Sequence, residues 1–266
     1  RILMARLANV IWYLIVIMCV SKNMFNQKKD DMAKTDKEKI EIELDNKEKA
    51  LAQAPVIVSA SRSTDIPAFY CDWFFHRLKV GYSAWTNPFN GVKMYVSYAK
   101  TRFIVFWSKN PRPLLNHIDE LKARDIGCYI QYSLNDYEEE KLERGVPPLA
   151  ERIETFKKLV DALGNGSVIW RFDPLVLTED ITIEKLLNKI ENIGDQLKGY
   201  TEKLVFSFVD ILSYNKVKNN LKANGISFVD WTEEQMAEFA SRLVALNKEK
   251  GWNYKLATCG EKGRYP

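Results

Sequence analysis

From Val56 onward the sequence alternates between short apolar runs and amphipathic segments, and this alternation limits the fold more than any other feature. The apolar runs are Val56 to Ala60, Tyr82 to Thr86, Phe103 to Trp107, Cys128 to Ser133, Val168 to Phe172, Leu204 to Asp210 and Tyr254 to Thr258. Between them Cys71 to Lys79, Pro113 to Arg124, Leu149 to Leu163, Ile183 to Leu197 and Glu233 to Lys250 carry helical periodicity, with a weaker helix at Tyr214 to Ala223. The last long helix opens on Thr232-Glu233-Glu234-Gln235, a capping box. Apolar runs separated by helices are the pattern of parallel strands buried on both faces and joined by right-handed crossovers. Asn87 to Ala99 departs from it, because Pro88 and Asn90-Gly91 read as a tight turn into an extra antiparallel strand near Met94 to Tyr98. The expected class is α/β, a TIM-like parallel (β/α) barrel with residues 56–266 as its domain. About seven strands can be counted where a closed barrel has about eight. With Pro266 just past the last strand, the barrel is expected to be incomplete, truncated at its C-terminus.

Each apolar run ends in polar residues. Val56 to Val58 reads as core, and Ser59, Ser61, Arg62 and Asp65 follow before Ile66-Pro67 turns the chain into a helix. Later runs deliver Asn87, then Lys109 and Asn110, then Gln131, Ser133 and Asn135, then Arg171 and Asp173, then Ser207 and Asp210, and finally Thr258 and Cys259. In a parallel barrel these ends open on one face, where the βα loops assemble a site. Asp65, Asp173 and Asp210 are the candidate acid–base groups, and Ser61, Arg62, Asn87, Lys109, Asn110, Gln131 and Arg171 the candidate substrate-binding groups. Three cations among three carboxylates can bind an anion, tune proton-transfer pKa values, or form an ion-pair network. Asp65 also reads as a cap for the following helix. A guanidinium inside the apolar strand VIWRFDP requires a carboxylate or a ligand, and Asp173, two residues on, points to the same side. His76 and His117 fall on outer helices and read as packing or surface residues.

Leu7 to Val20 is apolar apart from Asn9, with basic residues on both sides. At about 14 residues it is short of the roughly 20 needed to span a bilayer. It is read as an anchor or as an atypical extension, so the expected location is cytoplasmic with membrane contact only through this segment. Ser21 to Gln53 is rich in Lys, Asp and Glu and reads as a solvated linker or fraying helix, which places residues 1–55 outside the domain. Net charge is +4, but acids and bases are interleaved, which argues against a nucleic-acid partner and leaves a small molecule as the expected one. Four scattered cysteines without C-x-x-C spacing argue against a disulfide framework and supply no closed metal site. There is no P-loop, G-x-G-x-x-G, G-x-S-x-G or H-E-x-x-H motif.

The blocks SASRSTDIPAFY, NPFN, FIVFWSKNP, VIWRFDP, LKGYTEKLVFSFVD and LATC, in this order, resemble an uncharacterised bacterial and archaeal family known as a domain of unknown function. Its members carry near their C-terminus a cysteine cluster similar to the iron–sulfur site of radical SAM enzymes. The resemblance covers Val56 to about Glu261. It implies a TIM-like barrel and, in complete members, a 4Fe-4S cluster with SAM, because three cysteines leave one iron free to chelate that cofactor. Cys259 matches an upstream family cysteine and is the only weak metal candidate here, so no iron–sulfur centre is expected in residues 1–266. Three functions follow as expectations. One is a radical-SAM-like enzyme whose cluster ligands lie outside this sequence. Another is a metal-independent barrel enzyme using acid–base chemistry on an anionic small molecule. The last is a non-catalytic module binding an anion or nucleic acid.

Overall fold

The computed structural model describes residues 38–60, 64–87, 90–143, 145–209, 219, 225 and 227–259. The chain divides into two compact units, residues 26–130 and a second that takes in residues 131–266. The fold is mixed α/β, with parallel strands in both units.

In the first unit the strands are β1 (Lys39–Glu43), β2 (Lys49–Gln53), β3 (Ile57–Ser59), β4 (Tyr82–Thr86), β5 (Lys93–Ser97) and β6 (Phe103–Ser108), followed by the start of β7 (Gly127–Ser133). The stretch expected to be a linker or fraying helix instead holds the β1–β2 hairpin, joined to β5 in the order β1-β2-β5-β4. Ile40, Ile42, Ala50 and Ala52 alternate with exposed, mostly charged neighbours, so one face of the ribbon packs and the other is solvated. β4, expected among the parallel strands, is antiparallel to β5. Gly91, with φ 68°, donates its N–H to the Asn87 carbonyl at 2.9 Å and turns the chain directly back. β3 and β6 are parallel. Val58 is buried, but Val56 is 52% and Ile57 61% exposed, so the run expected to be core contributes one inward side chain to a short strand whose residues alternate. Helices Ile66–Phe69 and Cys71–Val80 follow β3, and Phe74 packs edge-on against Tyr98 and Phe106. The expected helix at Pro113 to Arg124 begins as a 3-10 helix, Arg112–His117, and becomes α-helical at Ile118–Ala123. Pro113 has no N–H to give the first turn.

In the second unit the rest of β7 is followed across the sheet by β8 (Val168–Leu175), β9 (Lys203–Phe208) and β10 (Lys255–Thr258), with β8/β9 and β9/β10 parallel. Helices Leu149–Leu163, Ile183–Leu197 and Glu233–Glu249 lie where the periodicity placed them. Tyr132 stacks on Phe156 and Phe206 meets Phe239, so one face of the strands packs on helices through aromatic side chains. Gly194 lets helix Ile183–Leu197 close on Trp252, because a Cβ there would stand 2.7 Å from the indole ring. The alternate positions, Gln131 and Ser133, Arg171 and Asp173, Ser207 and Cys259, carry the polar side chains. No pairing among the described residues closes a barrel. Tyr214 to Ala223, apart from Asn219, lies outside the described residues, as does Leu7 to Val20. Among the described residues no helix is long and apolar enough to cross a membrane.

Candidate functional site

β8 has apolar Trp170 and Phe172 on its helix-packed face, while Arg171 and Asp173 alternate with them. Only 3% of Arg171 is exposed. Its Nε donates to Asp173 Oδ2 at 3.1 Å, a terminal nitrogen donates to the same oxygen, and the other terminal nitrogen donates to Gln131 Oε1 at 3.1 Å. Asp173 Oδ1 accepts from the Ser207 hydroxyl on β9. Cys259 follows β10, and its N–H donates to the Phe206 carbonyl at 2.9 Å. The Thr258–Phe206 register brings it level with Ser207. The Arg171 guanidinium interacts with this thiol as well as with Asp173. Burial alone would make Arg171 easier to deprotonate, but Asp173 and Cys259 outweigh it and hold the guanidinium charged. Gln131, Arg171 and Asp173, all expected in the site, are therefore brought together.

The main chain of Asp173 is held separately. Its N–H donates to Asn135 Oδ1 at 2.8 Å and its carbonyl accepts from Asn135 Nδ2 at 3.1 Å. The following peptide, Asp173-Pro174, is cis.

In the other unit Asp65 is the N-cap of helix Ile66–Phe69. Its Oδ1 accepts from the Ala68 N–H at 3.0 Å, its Oδ2 from the Lys109 N–H at 2.9 Å, and Ser108 adds a side-chain hydrogen bond. Burial pushes this carboxyl up to about 6, while the bonds from Lys109, Ser108 and Ala68 pull the other way. Lys109 thus reaches Asp65 through its backbone, and Asn110 donates its N–H to Ser108 Oγ at 2.9 Å. Asn87 forms the β4–β5 turn, with its N–H on the Val92 carbonyl at 2.9 Å. Ser61, Arg62 and Asp210 lie outside the described residues.

His117 stacks on Phe75 with ring centroids 4.1 Å apart, the packing role expected of it. Ser207 and Asn135 stand at expected strand ends, but the sequence pattern names no partner for either. Asn135 is bonded to a residue 38 positions away, a distance no local pattern reveals.

The cluster implied by the resemblance can be tested against the described thiols. Cys71 is buried, and burial with the neighbouring Asp72 pushes it up to about 12; burial pushes Cys128 up to about 11. No group of three or more His, Cys, Asp or Glu among the described residues is placed to hold a metal ion. The described residues do not fit a 4Fe-4S cluster.

No curated protein and no solved structure matches the chain. Residues 57–266 match the model of a family described as a domain of unknown function, DUF1848, and over that span the chain belongs to the DUF1848 family.

Proposed function

We propose that the protein is an enzyme that binds an anionic small molecule over β7–β10, with Arg171 as the anion-binding group and Asp173 as the acid–base group. One observation supports this reading above the others: Gln131, Arg171, Asp173 and Ser207 form a connected polar row on three neighbouring strands, of which β8 and β9 are parallel. Parallel strands are ordinarily apolar on both faces, so a hydrogen-bonded ionic row replaces core that the fold would otherwise use. As an ion pair it adds little to stability over apolar packing, which favours a role in binding. In this reading the parallel strands belong to a TIM-like barrel, whose sites gather at C-terminal strand ends.

Arg171 offers a planar fork of donors matched to a carboxylate or phosphate. An incoming anionic group competes with Asp173 for that fork. Asp173 released from the guanidinium becomes more basic, and it lies on the row where the substrate is bound, positioned to take a proton from it. Gln131 and Ser207 offer neutral groups on either side. Asp65, whose oxygens are engaged by backbone N–H groups, is assigned to holding the fold. The radical-SAM-like alternative rests on the family resemblance alone.

Isothermal titration of phosphate, succinate, citrate and a nucleoside monophosphate at constant ionic strength tests the reading, with turnover of any bound compound followed by NMR. Saturable binding of at least one anion is expected, weakened at least tenfold in Arg171→Lys, which keeps the charge but loses the fork. Absence of saturable binding, or equal affinity in the variant, overturns it.

A further inference from the structure

The main-chain pairing between β7 and β8 stops with the Leu134 N–H on the Arg171 carbonyl, at 2.9 Å. Beyond that point the last residues of β8 would lose their partner on this side. Two side chains continue the ladder. The Asn135 amide meets both main-chain groups of Asp173 at 2.8 and 3.1 Å. Two residues on, the Tyr137 hydroxyl donates to the Pro174 carbonyl at 2.8 Å and accepts from the Val176 N–H at 3.1 Å. Both side chains are buried, and they act as a surrogate strand for residues 173–176.

The segment carrying them, residues 135–143, is fastened to two helices by charge. Arg152 on helix Leu149–Leu163 is 0% exposed and lies 3.5 Å from both Glu138 and Glu143. Its guanidinium nitrogens have no hydrogen-bond partner among the described residues, so charge alone ties them to these carboxylates. Glu138 also accepts from the Leu149 N–H, capping a helix whose N-cap is Pro148. Glu140 is held by Lys185 at 2.8 Å and Lys189 at 3.2 Å on helix Ile183–Leu197. Glu143 Oε1 accepts from Asn135 Nδ2 at 2.9 Å. An ionised carboxylate only accepts, so Glu143 fixes which end of the amide faces it and leaves Oδ1 toward the Asp173 N–H.

We infer that Asn135 is the positioning residue of the Arg171–Asp173 pair, with its amide orientation set by Glu143 and the Glu138–Arg152–Glu143 ion cluster. The amide locks the Asp173 backbone, which keeps the carboxylate turned to Arg171 and Ser207 and the guanidinium aimed along the strand ends. The inference deepens the reading of β7–β10 as an anion site and rests on it for its functional consequence.

The test follows the Arg171 Nε–Hε cross-peak in ¹⁵N spectra, assigned by its loss in Arg171→Lys. In the wild type it should be shifted and slow to exchange. Asn135→Asp should return it toward the position of a solvated arginine, with the urea midpoint of the Tyr132–Phe156 region followed separately by near-UV circular dichroism. Anion affinity should fall at least tenfold in the same variant. An unchanged cross-peak in a folded Asn135→Asp overturns the inference. If that variant does not fold, Glu143→Met provides the readout, because a thioether of similar length leaves the Asn135 amide without its orienting oxygen; a cross-peak identical to wild type overturns the inference there too. If the cross-peak moves while the wild type binds no anion, the positioning role stands and the anion-site reading fails.

Discussion

Asp65 and Asp173 are both carboxylates at the end of an apolar strand run, and they are satisfied by opposite means. Both oxygens of Asp65 accept from backbone N–H groups, those of Ala68 and Lys109. The oxygens of Asp173 accept from side chains, Arg171 and Ser207, while its backbone is held by another side chain, Asn135. A carboxylate held by main chain cannot release its partners without unlatching a helix from a strand end. One held by side chains can exchange a partner for a ligand while the strands stay paired. The residue type is the same in the two places, and the class of partner separates a latch from a site.

The largest effect is expected where this contrast is broken outright. Asp173→Asn removes the carboxylate from a buried guanidinium and should cost about 3–5 kcal/mol in urea unfolding, since a buried charge without its partner is strongly destabilising. Arg171→Met combined with Asp173→Asn should recover much of that loss, because the uncompensated charge is gone. Equal losses in the single and double variants would mean that the pair does not act as a unit.

The next effect concerns Asp65 and has a defined sign. Its carboxyl lies at about 6 in the folded protein against an ordinary 3.8, so the folded state holds the proton more tightly. The corresponding stabilisation is fully present below pH 3.8 and is lost as pH rises through about 6. Relative to Asp65→Asn, wild-type stability should therefore fall by about 2 kcal/mol between pH 4 and 7. A flat difference would mean that the hydrogen bonds from Ala68, Lys109 and Ser108 offset burial, and a difference that rises with pH would mean that they outweigh it.

A smaller effect supplies the control for capping alone. Thr232 accepts from the Gln235 N–H at 3.2 Å, and Gln235 reaches back to the Thr232 N–H at 3.1 Å. Thr232→Ala should cost about 1 kcal/mol, so any excess at Asp65 reports its burial and its tie to Lys109. Smallest of all, Lys49→Ala removes an exposed pair with Glu41 on the β1–β2 hairpin and should change stability by less than about 0.5 kcal/mol.

How much of this could be read from the sequence depends on whether the cause was local. Helices Leu149–Leu163 and Ile183–Leu197 were legible because their apolar stripes repeat at helical spacing, and the Thr232 box because its residues are three apart. Arg171 and Asp173 were legible as a pair because strand geometry puts positions i and i+2 on one side. The β1–β2 hairpin was missed because Lys39, Glu41 and Glu43 dominated a stretch in which Ile40 and Ile42 were already alternating. β4 was assigned to the wrong kind of sheet because strand composition does not encode direction, although the Asn90-Gly91 turn that sets it was recognised. Tyr137, Glu143 and Arg152 were invisible as supports, since their roles depend on contacts across loops that no spacing encodes.

Adding an anion separates the two carboxylates most directly. At constant ionic strength, titrating the tightest-binding anion while recording the Arg171 Nε–Hε and the Ala68 and Lys109 backbone amide signals compares the site and the latch in one experiment. A saturable shift of Arg171 is expected, with the Ala68 and Lys109 amides unmoved. A saturable shift at Ala68 and Lys109 with Arg171 unmoved, or no saturable shift anywhere, would contradict the distinction between site and latch.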